Sequence, residues 1–466
     1  MTQNKPQIQL ETIHNIFFIG IAGSGMSAIA QYLAGIGKQV AGSDRSFVPY
    51  TPNNIRKQLQ DEGIACHFEN GTGVSKTTQL VVVSTAIEDS SPDVQRAQQL
   101  NIRIVKRAEL LAAICATKRG IAVAGTSGKS TTTAMLFDIL SFAGLEPSLI
   151  TGAGLIRLQK QGKIGNAVVG RGSFLLFEAD ESDGSLVHYK PEIGLIMNID
   201  KDHKEIKELV GIFDKFRKNV QKTLVVNASN RYTMHLSQHT LNDYSTNVRK
   251  KAGYRLRNFV QNGFNVQFDI NRVPFELPNV VGLHNAENAL AATAVAAQLG
   301  IGLATCAEAL KTLYQGIYRR NQVLGCTKGV WVIDDFAHNP AKVRAAIHSW
   351  QQLSDSVWAW FQPHGFAPTK FLRHDFVKEI AEVLRPSDHI IFSKIYYAGG
   401  TVDANISAED LVNDLVKKGV SAHYIEDRKD LSAYLKPKLK PNDVVLLMGA
   451  RDPSLDEFAN VLYHQI

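Results

Sequence analysis

Seven consecutive residues, Gly125-Thr126-Ser127-Gly128-Lys129-Ser130-Thr131, combine the groups that hold a polyphosphate. Glycine lets backbone N–H groups close on phosphate oxygens, a lysine neutralises the β and γ oxygens, and the next hydroxyl can ligate Mg²⁺. The full phosphate-loop pattern asks for one more glycine, at 123, where this chain has Val123. Lys129 and Ser130 are untouched by that change. A metal bound there wants hard oxygen ligands. Two segments could supply them: Glu178-Ala179-Asp180-Glu181-Ser182-Asp183 and Asn198-Ile199-Asp200-Lys201-Asp202-His203. His203 is a less usual Mg²⁺ ligand. Either segment alone reads as a solvated acidic loop, but both follow apolar runs and a phosphate loop lies nearby.

A second glycine loop comes earlier, Gly20-Ile21-Ala22-Gly23-Ser24-Gly25-Met26-Ser27-Ala28. Gly23, Gly25 and Ala28 match G-x-G-x-x-A, and Asp44 follows at the spacing of a ribose-binding acid. Such a loop lets amides approach a diphosphate at a helix N-terminus. A dinucleotide and a UDP-sugar fit it equally, and a tight turn with no ligand has the same pattern.

These loops need strands before them and helices after them. Apolar runs at 16–19, 39–41 and 80–83 alternate with helical patterns, and a helix over 108–116 closes a first region near Lys118. A second region begins with a strand over 121–124. It continues through strands at 174–177, 193–197 and 224–226, small antiparallel strands within 228–280, and a helix over 286–299. Buried strands at 330–333, 357–361, 389–392 and 444–448 mark a third region. Strand–helix alternation predicts an α/β fold of parallel-dominated sheets in three domains, 1–118, 119–320 and 321–466.

At 466 residues the chain is too long for one domain of about 100–200 residues. No apolar run nears the roughly 20 residues of a membrane span. The beginning of the chain lacks the basic-then-apolar order of a signal peptide. Cys66, Cys115, Cys306 and Cys326 show no metal or redox spacing and read as buried residues of a reducing compartment, the cytoplasm. Fifty-one Lys and Arg against 44 Asp and Glu leave a net charge of +7. The excess is dispersed, which suits small anionic ligands and argues against nucleic acid or membrane partners.

In order along the chain, eleven segments resemble the Mur ligase family of peptidoglycan precursor synthesis, nearest its alanine-adding branch. They are the two glycine loops, Gly42-Ser43-Asp44, Ser84-Thr85-Ala86-Ile87, Lys106-Arg107-Ala108-Glu109, Glu178–Asp183, Asp202-His203, His284-Asn285-Ala286-Glu287-Asn288, Tyr318-Arg319-Arg320, Asp334-Asp335-Phe336-Ala337-His338 and Phe361-Gln362-Pro363-His364. The resemblance implies a Rossmann-like UDP-binding domain, a central ATPase and a Rossmann-like domain for the amino substrate. It implies ATP and Mg²⁺, an acyl-phosphate intermediate and an amide product. The substrates would be a nucleotide sugar like UDP-N-acetylmuramate and an amino acid or peptide, handled by a monomer or homodimer. By family position, residues 125–131 bind ATP with Lys129 on the β/γ-phosphates. Ser130 and Glu178 hold one Mg²⁺, and Glu178 and His203 a second. Asn288 contacts adenine, Asp335 ribose and Arg320 the γ-phosphate. Lys129, His203, Arg320 and His338 form the catalytic set. Gly20, Ala22, Gly23, Ser24, Gly25, Met26, Ser27, Asp44, Ser84, Thr85, Ala86 and Arg107 bind the UDP substrate.

The branch carries a Pro-His-Arg-Tyr-x-Arg segment and a His-His pair. This chain has Pro363-His364-Gly365-Phe366-Ala367-Pro368-Thr369 and His338-Asn339. Neither Gly365 nor Pro368 can replace an arginine's bidentate grip on a carboxylate. Lys370 or Arg373 could supply a displaced charge, or the acceptor could be a larger amine such as recycled murein tripeptide. Two other classes compete: a nicotinamide-dependent dehydrogenase built on the first loop, and a nucleotide-binding paralogue without turnover.

Overall fold

A computed structural model describes residues 8–84, 87–181, 184–200, 205–397 and 405–466. Five strands, Asn15–Ile19, Gln39–Asp44, Ala65–Phe68, Leu80–Val83 and Arg103–Lys106, form a sheet in the order third, second, first, fourth, fifth. All its pairs are parallel. The order reverses between Asn15–Ile19 and Leu80–Val83, and at such a switch point the carboxyl ends of the strands open a ligand crevice. Ala65–Phe68 and Arg103–Lys106 are edge strands additional to those read from the sequence.

The second sheet runs Thr223–Val226, Ile193–Ile196, Arg119–Ala124, Phe174–Ala179, Ser148–Ile150, Ala167–Val168. Only the last pair is antiparallel. Arg119–Ala124 therefore lies between Ile193–Ile196 and Phe174–Ala179, and all three release their loops at one sheet edge. A smaller sheet holds Tyr244–Ser245, Tyr254–Asn262, Asn265–Ile270 and Val273–Pro278 in that order. The last three are joined by two-residue connections, which only antiparallel neighbours allow. Asn271 and Arg272 both take positive φ, 49° and 72°, as a mirror-image hairpin turn needs. Tyr244–Ser245 pairs parallel to its neighbour, against the antiparallel expectation.

The third sheet runs Gln322–Thr327, Val330–Asp335, Val444–Met448, Val357–Phe361, His389–Phe392, Ala422–Tyr424, parallel except for its first pair. Separate apolar clusters cover its two faces, one around Trp350 and Phe376 and the other around Trp360 and Leu431.

By contact density the chain divides into two units. One comprises 1–260, 266–278 and 284–317, and the other 261–265, 279–283 and 318–466. The first two sheets share a unit because one apolar cluster runs from Phe18 and Ile29 through Phe177 to Phe213. Residues 261–265 join the other unit because Phe264 packs on Trp331 and Trp350. Three cysteines are buried as expected, but Cys326 is exposed. It sits on an edge strand that has no fully buried residue. Among the described residues no helix is long and apolar enough to cross a membrane.

Candidate active site

The phosphate loop leaves strand Arg119–Ala124 and enters helix Lys129–Phe142. Val123 is wholly buried within that strand, in register with Glu178 and Leu195. The turn therefore begins at Gly125, and a glycine at 123 would have no bend to make. Gly128 caps the helix at φ +83°, and a Cβ there would come within 2.5 Å of Asn288 Oδ1 and 2.8 Å of Met197 Cε. No side chain fits that position. Asn198 fixes the loop's shape. Its Oδ1 accepts from Thr126 Oγ1 at 2.9 Å and Ser127 N at 2.8 Å, and its Nδ2 donates to Ser127 O at 3.1 Å.

Lys129 Nζ donates to Gly125 O at 2.6 Å and to Glu181 Oε2 at 2.8 Å, with Asp180 Oδ1 3.9 Å away. Burial opposes the ammonium charge, but Glu181, Asp180 and Glu178 outweigh it and hold Lys129 above the usual lysine range. Ser130 Oγ donates to Glu178 Oε2 at 3.0 Å. The other Glu178 oxygen accepts from Thr151 Oγ1 and, at 2.7 Å, from Gly152 N. A hydroxyl and a carboxylate oxygen thus stand side by side with the carboxylate pinned from behind. Mg²⁺ suits that donor set, since it keeps most of its shell for water and phosphate oxygens. Among the described residues no group of three His, Cys, Asp or Glu could hold a metal by itself. Asp202 and His203, like Ser182, Asp183, Thr85 and Ala86, lie outside the described residues.

Asn288 is buried on helix Leu283–Ala297, against Gly128, and its Oδ1 accepts from Thr132 Oγ1 at 3.3 Å. The structure thus brings Asn288 against the phosphate loop.

The first glycine loop lies at the switch point of its sheet. Gly20 faces Ser84, whose Oγ would be 4.0 Å from a Cβ at Gly20. Asp44 closes the loop from the next strand: Oδ2 accepts from Ala22 N at 2.9 Å, and Oδ1 from Ser46 N at 2.9 Å. Gly23 N–H bonds Gly20 O, and the amides of Met26 and Ser27 bond Gly23 O. Ser24 and Gly25 stand at the open N-terminus of helix Ser24–Gly35. Arg107 covers Gly25, for a Cβ there would lie 2.8 Å from its Nη1. Met26 and Ser27 have buried side chains and can reach a ligand only through the backbone.

In the second unit, the adjacent arginines have separate tasks. Arg319 is buried, its Nε on Asp334 Oδ2 at 2.8 Å and its Nη2 on Gly449 O at 3.0 Å. It is a core ion pair, not half of a solvated basic pair. Arg320 instead lies 4.3 Å over the Phe336 ring. Asp335 accepts from Asn321 N at 2.6 Å and Ala337 N at 2.7 Å. Burial pushes its pKa up, with Arg320 and both N–H donors opposing. His338 donates from Nδ1 to Phe336 O at 2.9 Å, and its ring centre is 5.7 Å from that of His364. Asn339 caps helix Pro340–Gln351 by accepting from Lys342 N at 2.9 Å. Gly365 precedes helix Phe366–Val383 at φ +71°, and a Cβ there would sit 3.2 Å from Pro368. Arg373 is bound by Asp414 at 2.7 Å, so its guanidinium is already committed.

Two glycine loops at carboxyl edges of parallel sheets, one backed by a carboxylate suited to Mg²⁺, describe a phosphate-loop enzyme with a second nucleotide-binding fold. The Mur ligase family catalytic domain matches residues 15–119, the Mur ligase middle domain 123–296, and the Mur ligase glutamate ligase domain 319–451. A UDP-N-acetylmuramate–L-alanine ligase of Myxococcus xanthus is 33% identical, covering 97% of this chain and 96% of the relative. One from Aquifex aeolicus is 34% identical, over 94% and 95%. The solved UDP-N-acetylmuramate–alanine ligase of Thermotoga maritima superposes with TM-score 0.79 at 25% identity, covering 97% of this chain and 98% of that one. A murein peptide ligase of Psychrobacter arcticus shares the fold, with TM-score 0.67 at 20% identity over 97% and 98%. The chain belongs to the Mur ligase family, with its three-domain fold and its ATP-dependent, ADP-forming amide synthesis.

Proposed function

We propose that this chain joins L-alanine to UDP-N-acetylmuramate in peptidoglycan synthesis. The observation that carries this is the likeness, over 97% and 94% of the chain, to two ligases of that name. The substrate carboxylate attacks the γ-phosphorus of ATP, and the bond to the β-bridging oxygen breaks, releasing ADP. The amine nitrogen then attacks the acyl carbon, loses its proton, and expels phosphate through a tetrahedral intermediate.

Phosphoryl transfer asks for positioning and charge neutralisation more than for a protein nucleophile. Lys129 serves the β/γ-phosphates. An ammonium has three donors, and Gly125 O with Glu181 fixes two of them. Gly125, Thr126, Ser127, Gly128 and Thr131 complete the phosphate cradle. Ser130 and Glu178 would hold Mg²⁺, which supplies positive charge to the phosphates when bound. His203 as a second metal ligand, Asn288 at adenine, Asp335 at ribose, Arg320 at the γ-phosphate and His338 in catalysis rest on the family resemblance. The diphosphate of the nucleotide sugar is assigned to the Ser24 and Gly25 amides and Arg107, with Gly20, Ala22, Gly23, Met26, Ser27 and Ser84 shaping that loop. Asp44 closes it, while Thr85 and Ala86 are assigned by resemblance. Domain limits at 1–118, 119–320 and 321–466, a cytoplasmic address and a monomer or homodimer complete the reading.

The test is amine-dependent phosphate release with ATP, Mg²⁺ and UDP-N-acetylmuramate against a panel that includes L-alanine and murein tripeptide. Alanine should respond; a panel with no responding amine sinks the reading. Lys129→Ala should abolish release while circular dichroism stays unchanged. A second reading, a peptide as acceptor, is favoured by one observation. Arg373, the one arginine among the two candidates for a displaced clamp, is held by Asp414, and Gly365 and Pro368 offer no replacement charge. Faster release with tripeptide than with alanine would establish it.

A further inference from the structure

The two glycine loops are joined by a chain of buried and part-buried hydrogen bonds that neither loop motif contains. Asn166, 1% exposed, precedes the edge strand Ala167–Val168. Its Nδ2 donates to Ser24 O at 2.8 Å and to Ser27 Oγ at 3.0 Å, and its Oδ1 accepts from Gln31 Nε2 at 2.8 Å. All three partners lie on the helix that opens at the first glycine loop. The main-chain carbonyl of the same residue accepts from Thr151 N at 2.9 Å. Thr151, 2% exposed, donates its hydroxyl to Glu178 Oε1, and Glu178 Oε2 accepts from Ser130 of the phosphate loop. Each link is a short contact between named atoms.

We propose that Asn166 is a positioning residue that couples the nucleotide-sugar loop to the metal and phosphate loop through Thr151 and Glu178. The inference rests on the site roles proposed above. Its physical basis is the stiffness of a satisfied buried polar network. Inside a protein such bonds reinforce one another, and breaking one leaves a desolvated partner behind. The Asn166 side chain spends both its N–H donors and one acceptor position on the first helix, and its main-chain carbonyl accepts from Thr151. A ligand that settles helix Ser24–Gly35 therefore also settles the strand end that aims Glu178. Binding at one loop then favours binding at the other, and by linkage the effect is reciprocal.

The experiment is calorimetry on the full chain with two probes, UDP-N-acetylmuramate and a non-hydrolysable ATP analogue with Mg²⁺, each titrated alone and in the presence of the other. In the unmodified protein each ligand should tighten the other by about fivefold or more, the lower end of ordinary allosteric coupling. Asn166→Ala should bring that factor to about one, while both probes still bind singly. Thr151→Val, which leaves the Asn166 side chain in place, should also abolish the coupling. It should weaken the magnesium nucleotide alone and leave the sugar nucleotide alone unchanged. Thr151→Ser, which keeps the hydroxyl, should restore it. A purely structural role would lower the melting temperature of each variant and leave the coupling factor intact. That result overturns the proposal, as does a coupling factor of one in the unmodified protein. If neither probe binds the unmodified protein, it is the assignment of the loops that fails.

Discussion

Asn339 occupies the place of a family histidine, and its side chain holds the first turn of helix Pro340–Gln351 while Pro340 supplies the N1 residue. A cap of this kind is worth about 1 kcal/mol. Asn339→Ala should therefore lower stability by about that much, and Asn339→Asp, which still accepts from Lys342 N, should lose almost nothing. Urea midpoints decide it, and equal losses in the two variants would deny the cap. Gly365 has a comparable local reason, a left-handed φ with Pro368 packed against it. Residue types announced part of the site. Lys129, Ser130 and Glu178 stood out because glycine, lysine, hydroxyl and carboxylate sat in runs of chemically suggestive spacing. Thr151 and Asn166 did not, and Asn198 stood within a noted segment without a role of its own; all three are common polar residues whose partners are 15 to 142 positions away. Their importance comes from strand neighbours that only the folded sheet defines. Glu181 lay within a recognised acidic run, but its bond to Lys129 could not be told from that of Glu178 or Asp180 until the loop had a shape.

At the level of elements, the central sheet is fastened at the edge opposite the phosphate loop. Arg119 begins its strand and grips Glu192 with two bonds, Nε to Oε2 at 2.8 Å and Nη2 to Oε1 at 2.7 Å. Lys222, before strand Thr223–Val226, adds a third at 3.1 Å. Three adjacent strands are thus tied at their starts through one carboxylate. The Arg119 hydrogen bonds, helped by Lys222 and opposed by burial, pull Glu192 down to about 2. A depressed carboxyl stabilises the fold above its unfolded pKa, near 4.5, and loses that contribution as pH falls toward 2. The arginine and lysine side chains are about half and two-thirds exposed, so solvent screening leaves about 1–2 kcal/mol. Glu192→Gln should be less stable by that amount at pH 7, with the gap narrowing below pH 4.5. Urea unfolding at pH 7, 5, 4 and 3 checks it, and a gap independent of pH would remove the ion pair as its cause. The inner strands were legible because buried parallel strands are continuous apolar runs. Ala65–Phe68 and Arg103–Lys106 were not, since each keeps only one buried residue among its four.

For the whole molecule, alternating strands and helices marked three regions, and the three family matches follow one another along the chain. Contact density nevertheless places the first two sheets in one unit. Strand–helix alternation reads the same on either side of residue 118, and nothing in it records that the apolar cluster of one sheet continues into the next. Both glycine loops belong to that unit, which gives the division a thermodynamic consequence. A ligand that binds only folded protein stabilises its host by about 2.7 kcal/mol at a hundredfold excess over Kd. UDP-N-acetylmuramate, assigned wholly to the first unit, should stabilise that unit and leave residues 318–466 unaffected. In scanning calorimetry this appears as two resolved transitions, of which only the larger moves, by several degrees, about 5 °C at that excess. Hydrogen exchange identifies them, since amides of Val444–Met448 should keep their free-protein protection while those of Asn15–Ile19 gain it. If instead one transition moves as a whole, or Val444–Met448 gains protection equally, the two units unfold as one cooperative body and the contact division has no energetic meaning.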